Sequence, residues 1–541
     1  MYINYQPTPS GITYATATRS IRFGRQVKKS QAESIYLGRV LDKDRQIFKN
    51  KIDGIFQFDL KTGAKNPPPA DFVPNIRRKN AKAPELLLNF GDAYFVDQII
   101  KKTHFSSLFD AIGYGNPDSV KALALFYMLS KKSNRHAENW YEGSFARILY
   151  PKANLTSQRI SDMLSSIGAE STYQQFFNSY IPYVSKVSKE WGFEVGEEEV
   201  NKKDDSGVNH NNSKDNKEKD VIIKDGHGIL IDSTGLPNSV HFPLTAISNH
   251  NGVISEEVRL IYVTQRGTGL PLYMRYVPGN IIDATTLVTT MHELKAMGID
   301  TKFAIMDAGY VTDANLRTLK KNKVSFLARL PENRSVFKGL LSENRATLMD
   351  ENNLIRYKER FVYIKRFKRD VIEGMPAYLY LGMDVTMRSI LMKQVAKKAN
   401  ISNLSDDEIR AATRDLGIFC LVSSRPIATE SILSLYYTRQ DIEQVFDLEK
   451  NYGSLLPLCI QTEETFRGHL LMTFLATVVM RQIQQMGKKI NLDLEEIFER
   501  LINQKCKAFP DVVIPQEATK KQKEVYSAFR LRVPQTIVPS R

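Results

Sequence analysis

Length, composition and charge set the first limits on this chain. Its 541 residues exceed one ordinary domain and predict two or three, and the formal charge of +15, from 75 Lys and Arg against 60 Asp and Glu, favours a polyanionic partner. Three widely spaced cysteines without a CxxC pair argue against a zinc knuckle, and the longest apolar stretch, at residues 470–480, is too short to cross a bilayer, so we expect a cytoplasmic protein with reduced thiols and no membrane partner.

The first part of the chain changes from strand-like to helical patterning. Alternating apolar and polar residues over positions 1–65 predict a small, basic, β-rich unit. Residues 80–198 place apolar side chains at helical spacing. One short helix of this region, over residues 154–168, begins with Ser, Thr and Gln side chains beside Arg159. It is either a recognition helix that contacts base edges and phosphates or a capped surface helix of a bundle.

A polar segment then separates two regions of different pattern. Residues 199–224 are charged, rich in Asn and nearly devoid of apolar side chains, which predicts a linker or a disordered loop. Residues 225–329 contain three strands followed by alternating helices and strands, and this order predicts an α/β fold with helices packed on a mixed sheet. Two of the strands run into an aspartate, Asp232 and Asp307. Such an aspartate usually caps a turn or binds a cation, because burial of an unpaired carboxylate is costly.

Residues 330–416 interrupt this pattern with further predicted strands. One of them interleaves Lys365, Arg366 and Lys368 with aromatic residues, a combination that suits phosphate contacts and base stacking. A solvated edge strand protected by charged side chains would have the same composition.

The pattern resumes over residues 417–485, which include the stretch YYTRQDIEQVFDLEK. If this stretch is one helix, four of its polar side chains fall within roughly 60° of one another: Tyr436, Arg439, Glu443 and Lys450. A salt-bridged surface helix is the alternative, because Arg439 and Glu443 form an i,i+4 pair. Residues 486–541 predict a C-terminal helical tail.

Three carboxylates, Asp232, Asp307 and Glu443, are the candidate catalytic residues and metal ligands. Their hard oxygen atoms suit Mg²⁺ or Mn²⁺ better than zinc. The sequence contains no GxxxxGKS phosphate loop, no HExxH and no G-x-S-x-G motif, which argues against ATP use, zinc hydrolysis and serine chemistry.

The order Asp232, Asp307, Glu443, with the glutamate inside Tyr-x2-Arg-x3-Glu-x6-Lys, resembles the DDE transposases of bacterial insertion sequences, in the branch with that signature, the insertion-sequence-four family. The resemblance implies an RNase H-like catalytic core, interrupted by a β-rich insertion and preceded by a helical region that binds element ends. It implies two ions, Mg²⁺ or Mn²⁺, at the three carboxylates. It also implies that the remaining signature residues contact phosphate near the transposon end: Tyr436, Arg439 and Lys450.

We therefore expect a DNA transposase that performs cut-and-paste transposition by cutting and joining phosphodiesters. Its expected partners are double-stranded DNA, as terminal inverted repeats and as target, and a second copy of the chain in a homodimer on paired ends. Its expected location is a bacterial or archaeal cytoplasm, in association with the nucleoid. Two alternatives remain, a metal-dependent nuclease of the same fold without strand transfer and a non-catalytic DNA-binding protein. The acidic triad argues against the second alternative.

Overall fold

The chain forms two compact units, Met1–Glu85 and Leu86–Arg541. Most of the linker predicted at residues 199–224 lies outside the described residues. A computed structural model describes residues 1–8, 13–21, 31–69, 72, 86–193, 197–199, 220–224, 228–238, 240, 242–250, 253–402, 405–451, 455–456, 458, 460–488 and 490–539.

The first unit is built on an antiparallel sheet that lies within the segment predicted to be β-rich. Its strands pair in chain order because each is joined to the next by a short connection. One face of the sheet packs apolar side chains inward, among them Ala17, Leu37 and Phe48. The six strands are β1 (Tyr2–Pro7), β2 (Thr13–Ile21), β3 (Gln31–Asp42), β4 (Ile47–Asn50), β5 (Gly54–Phe58) and β6 (Lys65–Asn66).

The second unit begins with a strand and a helical region. Apolar residues at helical spacing are buried throughout this region, which shares one hydrophobic core with the rest of the unit. Its elements are β7 (Leu86–Asn89), α1 (Gly91–Lys102), α2 (Ser106–Asp110), α3 (Pro117–Leu129), α4 (Ala137–Gly143), α5 (Ala146–Leu149), α6 (Ser157–Ile167) and α7 (Glu170–Glu190).

A mixed sheet with flanking helices follows. Before it, β8 (Glu197–Glu199) and β9 (Val221–Ile223) form a separate two-stranded sheet. The elements of the mixed sheet and its helices are β10 (Ile229–Pro237), β11 (Ala246–His250), β12 (Val253–Gln265), β13 (Pro271–Pro278), α8 (Asp283–Ala296), β14 (Phe303–Met306), α9 (Asp313–Lys321) and β15 (Ser325–Arg329). Strand β12 pairs antiparallel with β10, whereas β10, β14 and β15 run parallel to one another. The strand that carries Asp232 is therefore the direct neighbour of the strand that precedes Asp307.

The segment predicted as a β-rich insertion contains both strands and helices. Its elements, with the strand that follows it, are α10 (Ser335–Asn344), β16 (Leu354–Tyr357), β17 (Arg360–Ile372), β18 (Met375–Asp384), α11 (Val385–Ser402), α12 (Asp406–Thr413) and β19 (Ile418–Ser423). These strands do not form a sheet of their own. They extend the mixed sheet in the order β15-β19-β18-β17-β16, so that ten strands make one continuous sheet.

The last part of the chain packs against both the sheet and the helical region. Its elements are α13 (Thr429–Tyr436), α14 (Gln440–Asn451), α15 (Glu463–Lys488), α16 (Leu494–Ile502), β20 (Lys505–Ala508), β21 (Val513–Pro515) and α17 (Lys520–Ala528). Helix α15 is buried along most of its length, as its apolar composition predicts. It crosses α6 so closely that a Cβ on Gly468 would clash with the carbonyl oxygen of Leu164. In the described part of the chain, no helix combines the length and apolar character needed to span a membrane.

The segment predicted as a C-terminal helical tail is part of the helical region. Strand β20 pairs antiparallel with β7, and β21 completes a three-stranded sheet. The ring of Phe529, just after α17, packs edge-to-face on Phe95 of α1 with centroids 4.9 Å apart. Residues 486–541 therefore contain strands as well as helices and close the core of the region that begins at Leu86.

Candidate active site

The two predicted aspartates lie where the parallel pairing of two strands stops: Asp232 is within β10, and Asp307 directly follows β14. Residues Ile231 of β10 and Met306 of β14 are register partners, and Asp232 and Asp307 are the next residues on each strand. Parallel strands bring residues at matching positions to the same edge of a sheet. The side chain of Asp232 is mostly buried, at 13% exposure, whereas that of Asp307 is 43% exposed.

The signature stretch is not the single helix that its spacing predicts. Helix α13 ends at Tyr436, a 3₁₀ turn covers Tyr437–Arg439, and α14 begins at Gln440. The turn is stabilised by the Thr438 hydroxyl, which donates to the Leu435 carbonyl oxygen at 2.7 Å. It is also stabilised by the ring of Tyr437, which stacks on Tyr357 with centroids 5.2 Å apart. The predicted common face is therefore broken between Tyr436 and Glu443.

The break places Arg439 among the three carboxylates. Its Nη1 lies 2.7 Å from Asp307 Oδ1, and its Nη2 lies 3.3 Å from Asp232 Oδ2 and 3.0 Å from Glu443 Oε1. Arg439 is itself only 15% exposed, so these contacts are partly shielded from water. One guanidinium thus joins side chains from β10, from the end of β14 and from α14.

Burial and charge both alter the acid–base properties of this site. Burial is the main cause that raises the pKa of Asp232 to about 6; the Arg439 guanidinium and the Ser233 amide oppose the rise, and Asp307 and Asp283 add to it. Burial likewise raises the pKa of the Tyr436 phenol to about 12. At neutral pH Tyr436 is therefore a neutral ring beside an ionic cluster.

The donor set of this site fits a divalent cation in its chemistry. Three carboxylates from three elements converge on one positive charge, which is what hard oxygen ligands do around Mg²⁺ or Mn²⁺. Among the residues that the structure describes, no group of three or more His, Cys, Asp or Glu side chains is itself arranged to hold a metal ion. Each of the three carboxylates instead pairs with the Arg439 guanidinium.

The last signature residue, Lys450, contacts the strand that carries Asp232. Its Nζ donates to Thr234 Oγ1 at 2.6 Å and to the Gly235 carbonyl oxygen at 3.2 Å. The adjacent Glu449 is buried and accepts a hydrogen bond from the Tyr262 hydroxyl of β12. The end of α14 is therefore attached to two neighbouring strands of the sheet.

The other predicted DNA contacts lie on different elements. Arg159 is on the exposed side of α6 and pairs with Asp162 at 3.4 Å. Three predicted contacts are on β17 and have partners within the protein. Lys365 donates to Asn344 Oδ1 at 3.0 Å, Arg366 pairs with Asp220 at 2.5 Å, and Lys368 lies over the Tyr378 ring at 5.6 Å. DNA contact by these residues stays a prediction.

Residues around Asp232 that the sequence did not single out contribute to the site. Asp283, the first residue of α8, contacts Ser233 and the buried Arg259 of β12. An aspartate in the first turn of a helix is common for reasons of helix stability alone, so its sequence position gave no signal.

The buried Arg481 of α15 pairs with Asp441 of α14 at 2.5 Å. An arginine within an apolar helix was the one available signal for this contact.

Residues 223–479 match the family model described as the transposase DDE domain. Among solved structures, the chain is similar to a piggyBac transposase in a synaptic complex with hairpin DNA, at 10% sequence identity and a TM-score of 0.30. The similarity covers 56% of this chain and 52% of that chain, so the chain spans about half the length of the transposase that it matches. No curated protein sequence matches the chain.

The fold and site define a mixed α/β protein with an acidic cluster where the parallel pairing of β10 and β14 stops. The segment that matches the transposase domain contains all three carboxylates as well as Arg439. The match supports a transposase DDE domain in this segment, which is a little under half of the chain.

Proposed function

We propose that this protein is a DNA transposase that cuts the ends of an insertion sequence and joins them to target DNA. The observation that carries the proposal is the convergence of Asp232, Asp307 and Glu443 on one guanidinium, within the segment that matches the transposase DDE domain. The pairing of β10 with both β12 and β14 supports an RNase H-like core. Its chemistry is phosphodiester cleavage followed by transfer of the freed strand end.

In cleavage, the oxygen of water forms a bond to phosphorus while the bond between phosphorus and the 3′ oxygen breaks. In joining, the freed 3′-hydroxyl attacks a target phosphate in the same way. Two Mg²⁺ or Mn²⁺ ions, held by Asp232, Asp307 and Glu443, would stabilise the charge on the attacking and leaving oxygens. The protein fixes Asp232 in a buried position and presents the more exposed Asp307 and Glu443 toward the substrate side.

The signature cations are proposed to grip the phosphate next to the cleaved bond. Arginine suits a bidentate contact with phosphate, and lysine suits a point contact. In the free protein Arg439 has carboxylate partners and Lys450 has two oxygen partners on β10. A phosphate would therefore exchange with these internal contacts, with Tyr436 as a neutral ring at its side. This exchange would release the carboxylates for cations.

We further propose that residues 80–198 bind the terminal inverted repeats, with Arg159 on the exposed side of α6 as one contact. Lys365, Arg366 and Lys368 of β17 are proposed as additional phosphate contacts, since β17 belongs to the same sheet as β10, which contains Asp232, and β14, which Asp307 follows. Paired ends would engage a homodimer. The proposed setting is a bacterial or archaeal cytoplasm, near the nucleoid.

The test is cleavage of a plasmid that carries the gene with its flanking DNA, with and without Mg²⁺ or Mn²⁺. Asp232→Asn, Asp307→Asn and Glu443→Gln should each abolish cation-dependent cleavage, because each removes a ligand charge. DNA binding should be retained in all three, because the basic surfaces are unchanged. Appreciable cleavage by any one variant would remove that residue from the site.

Two matched controls separate a site effect from a general charge effect. Asp300→Asn neutralises an exposed carboxylate just before β14, and Glu430→Gln does the same on α13. Both should cleave like the wild type. Strand joining to a second plasmid distinguishes a transposase from a nuclease of the same fold, and cleavage without joining would favour the nuclease.

A further inference from the structure

A fourth acidic side chain, Asp283, lies beside the cluster without contacting Arg439. Its Oδ1 accepts a hydrogen bond from the Ser233 hydroxyl at 2.5 Å and from Arg259 Nη1 at 2.9 Å. Its side chain is 20% exposed. As the first residue of α8, it connects this helix to two strands of the sheet, β10 and β12.

Through Ser233, this contact reaches the most buried of the candidate ligands. The Ser233 amide donates to Asp232 Oδ1 at 2.9 Å, and the Ser233 hydroxyl donates to Asp283. One residue therefore orients the Asp232 carboxylate with its backbone while its side chain is held by α8. A shift of Asp283 would move both donors of Ser233 together.

The second oxygen of Asp283 faces the segment that follows Asp307. A Cβ on Gly309 would lie 3.4 Å from Asp283 Oδ2, so this carboxylate packs directly against the turn two residues after Asp307. Asp283 thus touches the segments of both candidate aspartate ligands. It is the kind of outer-shell carboxylate whose loss changes metal affinity without removal of a ligand.

Arg259 pairs with Asp283 and so offsets the repulsion between the Asp283 carboxylate and the nearby Asp232. Its side chain is 7% exposed and pairs with Asp283 at 2.9 Å and with Glu257 at 3.6 Å. In the sheet, Arg259 is the register partner of Gly235 on β10, three residues beyond Asp232. A buried ion pair contributes to position more than to net stability, because desolvation offsets its attraction.

We propose that Asp283 is a positioning residue that holds the Asp232 and Asp307 segments at a fixed separation for cation binding. This inference rests on the proposed function of the acidic cluster. Asp283→Asn keeps an acceptor for Ser233 but loses the charge that fixes Arg259. The half-saturating Mn²⁺ concentration for cleavage should therefore rise about 10- to 100-fold, with a maximal rate that approaches the wild-type value at high Mn²⁺.

The structure offers a close control in Asp313→Asn. Asp313 is also the first residue of a helix, α9, and it also pairs with an arginine Nη1, that of Arg334, at 2.5 Å. Its variant should leave the Mn²⁺ dependence unchanged. Ser233→Ala removes the hydroxyl while keeping the amide bond to Asp232, so a smaller rise in half-saturating Mn²⁺ is expected.

A second measurement follows the two segments directly. Amide hydrogen exchange of peptides covering residues 229–237 and 303–312 should be faster in Asp283→Asn than in the wild type. In Asp313→Asn, exchange of the peptide covering residues 229–237 should be unchanged. Faster exchange with an unchanged Mn²⁺ dependence would show that Asp283 only stabilises the fold and would overturn the proposal. Complete loss of cleavage at every Mn²⁺ concentration, as expected for Asp232→Asn, would also overturn it, since Asp283 would then act as a ligand.

The two hypotheses fail in different ways. A wild-type protein that never cleaves DNA with any divalent cation refutes the proposed function. In that case the exchange experiment still decides whether Asp283 holds the two segments, and unchanged exchange in Asp283→Asn refutes the positioning role.

Discussion

Glu449 gives the protein a pH-dependent stability that a single substitution should remove. This side chain is 1% exposed and accepts a hydrogen bond from Tyr262. Burial raises the pKa of Glu449 from its ordinary value of 4.5 to about 8, against the opposing effects of Tyr262, Lys450 and Thr477. Folded protein at neutral pH therefore holds Glu449 protonated, whereas the unfolded chain ionises it.

The sign and size of the effect follow from this difference. Between pH 4.5 and pH 8 unfolding releases a proton from Glu449, so the stability that this group contributes is present below 4.5 and is lost as the pH rises to 8. A difference of one in pKa corresponds to about 1.4 kcal/mol, which gives a total loss of about 5 kcal/mol. Glu449→Gln keeps an oxygen acceptor for Tyr262 and cannot ionise. Relative to the wild type, its free energy of unfolding should rise by about 2 kcal/mol from pH 6 to pH 8 and level off at about 3 kcal/mol above pH 9.

The assay is denaturant unfolding at pH 6, 7, 8 and 9, followed by tryptophan fluorescence. Both tryptophans, Trp140 and Trp191, belong to the unit that contains Glu449, so the signal reports the relevant core. The control Glu499→Gln changes an exposed glutamate of α16 and should follow the wild type at every pH. A difference that does not vary with pH would refute the reasoning, because Glu449 would then be ionised in the folded protein.

Three further predictions concern charge at and around the site. Arg439→Ala should bind Mn²⁺ about tenfold more tightly than the wild type in the absence of DNA, measured by electron paramagnetic resonance, because the three partly shielded ion pairs of Arg439 no longer compete for the carboxylates. A tenfold change corresponds to about 1.4 kcal/mol, and weaker binding would contradict this prediction. Arg481→Met should lower the free energy of unfolding by about 3 kcal/mol, because it leaves Asp441 unpaired. The added change Asp441→Leu should recover most of this loss, and equal stability of the single and double variants would contradict the prediction. DNA affinity should fall steeply with salt, by about 0.9 in log K per phosphate contact for each tenfold increase, and an affinity that is unchanged between low and moderate salt would contradict a role for the basic surfaces.

Local sequence patterns predicted the elements that carry two of the three carboxylates. Apolar runs that end in an aspartate indicate strands, and the structure has β10 through Asp232 and β14 ending directly before Asp307. No local pattern specifies which parallel strands pair, so these patterns did not predict that the two strands are neighbours. The structure has them paired from Ile229 to Ile231 on β10.

Contacts between distant parts of the chain explain what the sequence did not predict. Helical spacing treats Tyr436 to Lys450 as one helix, but the stacking of Tyr437 on Tyr357 of β16 accompanies a 3₁₀ turn there. Asp283 and its partner Ser233 are 50 positions apart. The pairing of β20 with β7 joins the two ends of the second unit, and no sequence feature of either strand predicts which strand it pairs with.

The anchoring of α14 explains how an exposed glutamate can have a defined position before any ligand binds. Glu443 is 56% exposed, so its own contacts fix it weakly. Its helix is held elsewhere, by Asp441 against α15, by Glu449 against β12 and by Lys450 against β10. Arg439 lies outside this anchored segment, in the 3₁₀ turn that precedes α14. Arg439 can therefore leave the carboxylates through a change in its side chain and turn, while α14 keeps Glu443 beside Asp232 of β10 and Asp307 after β14.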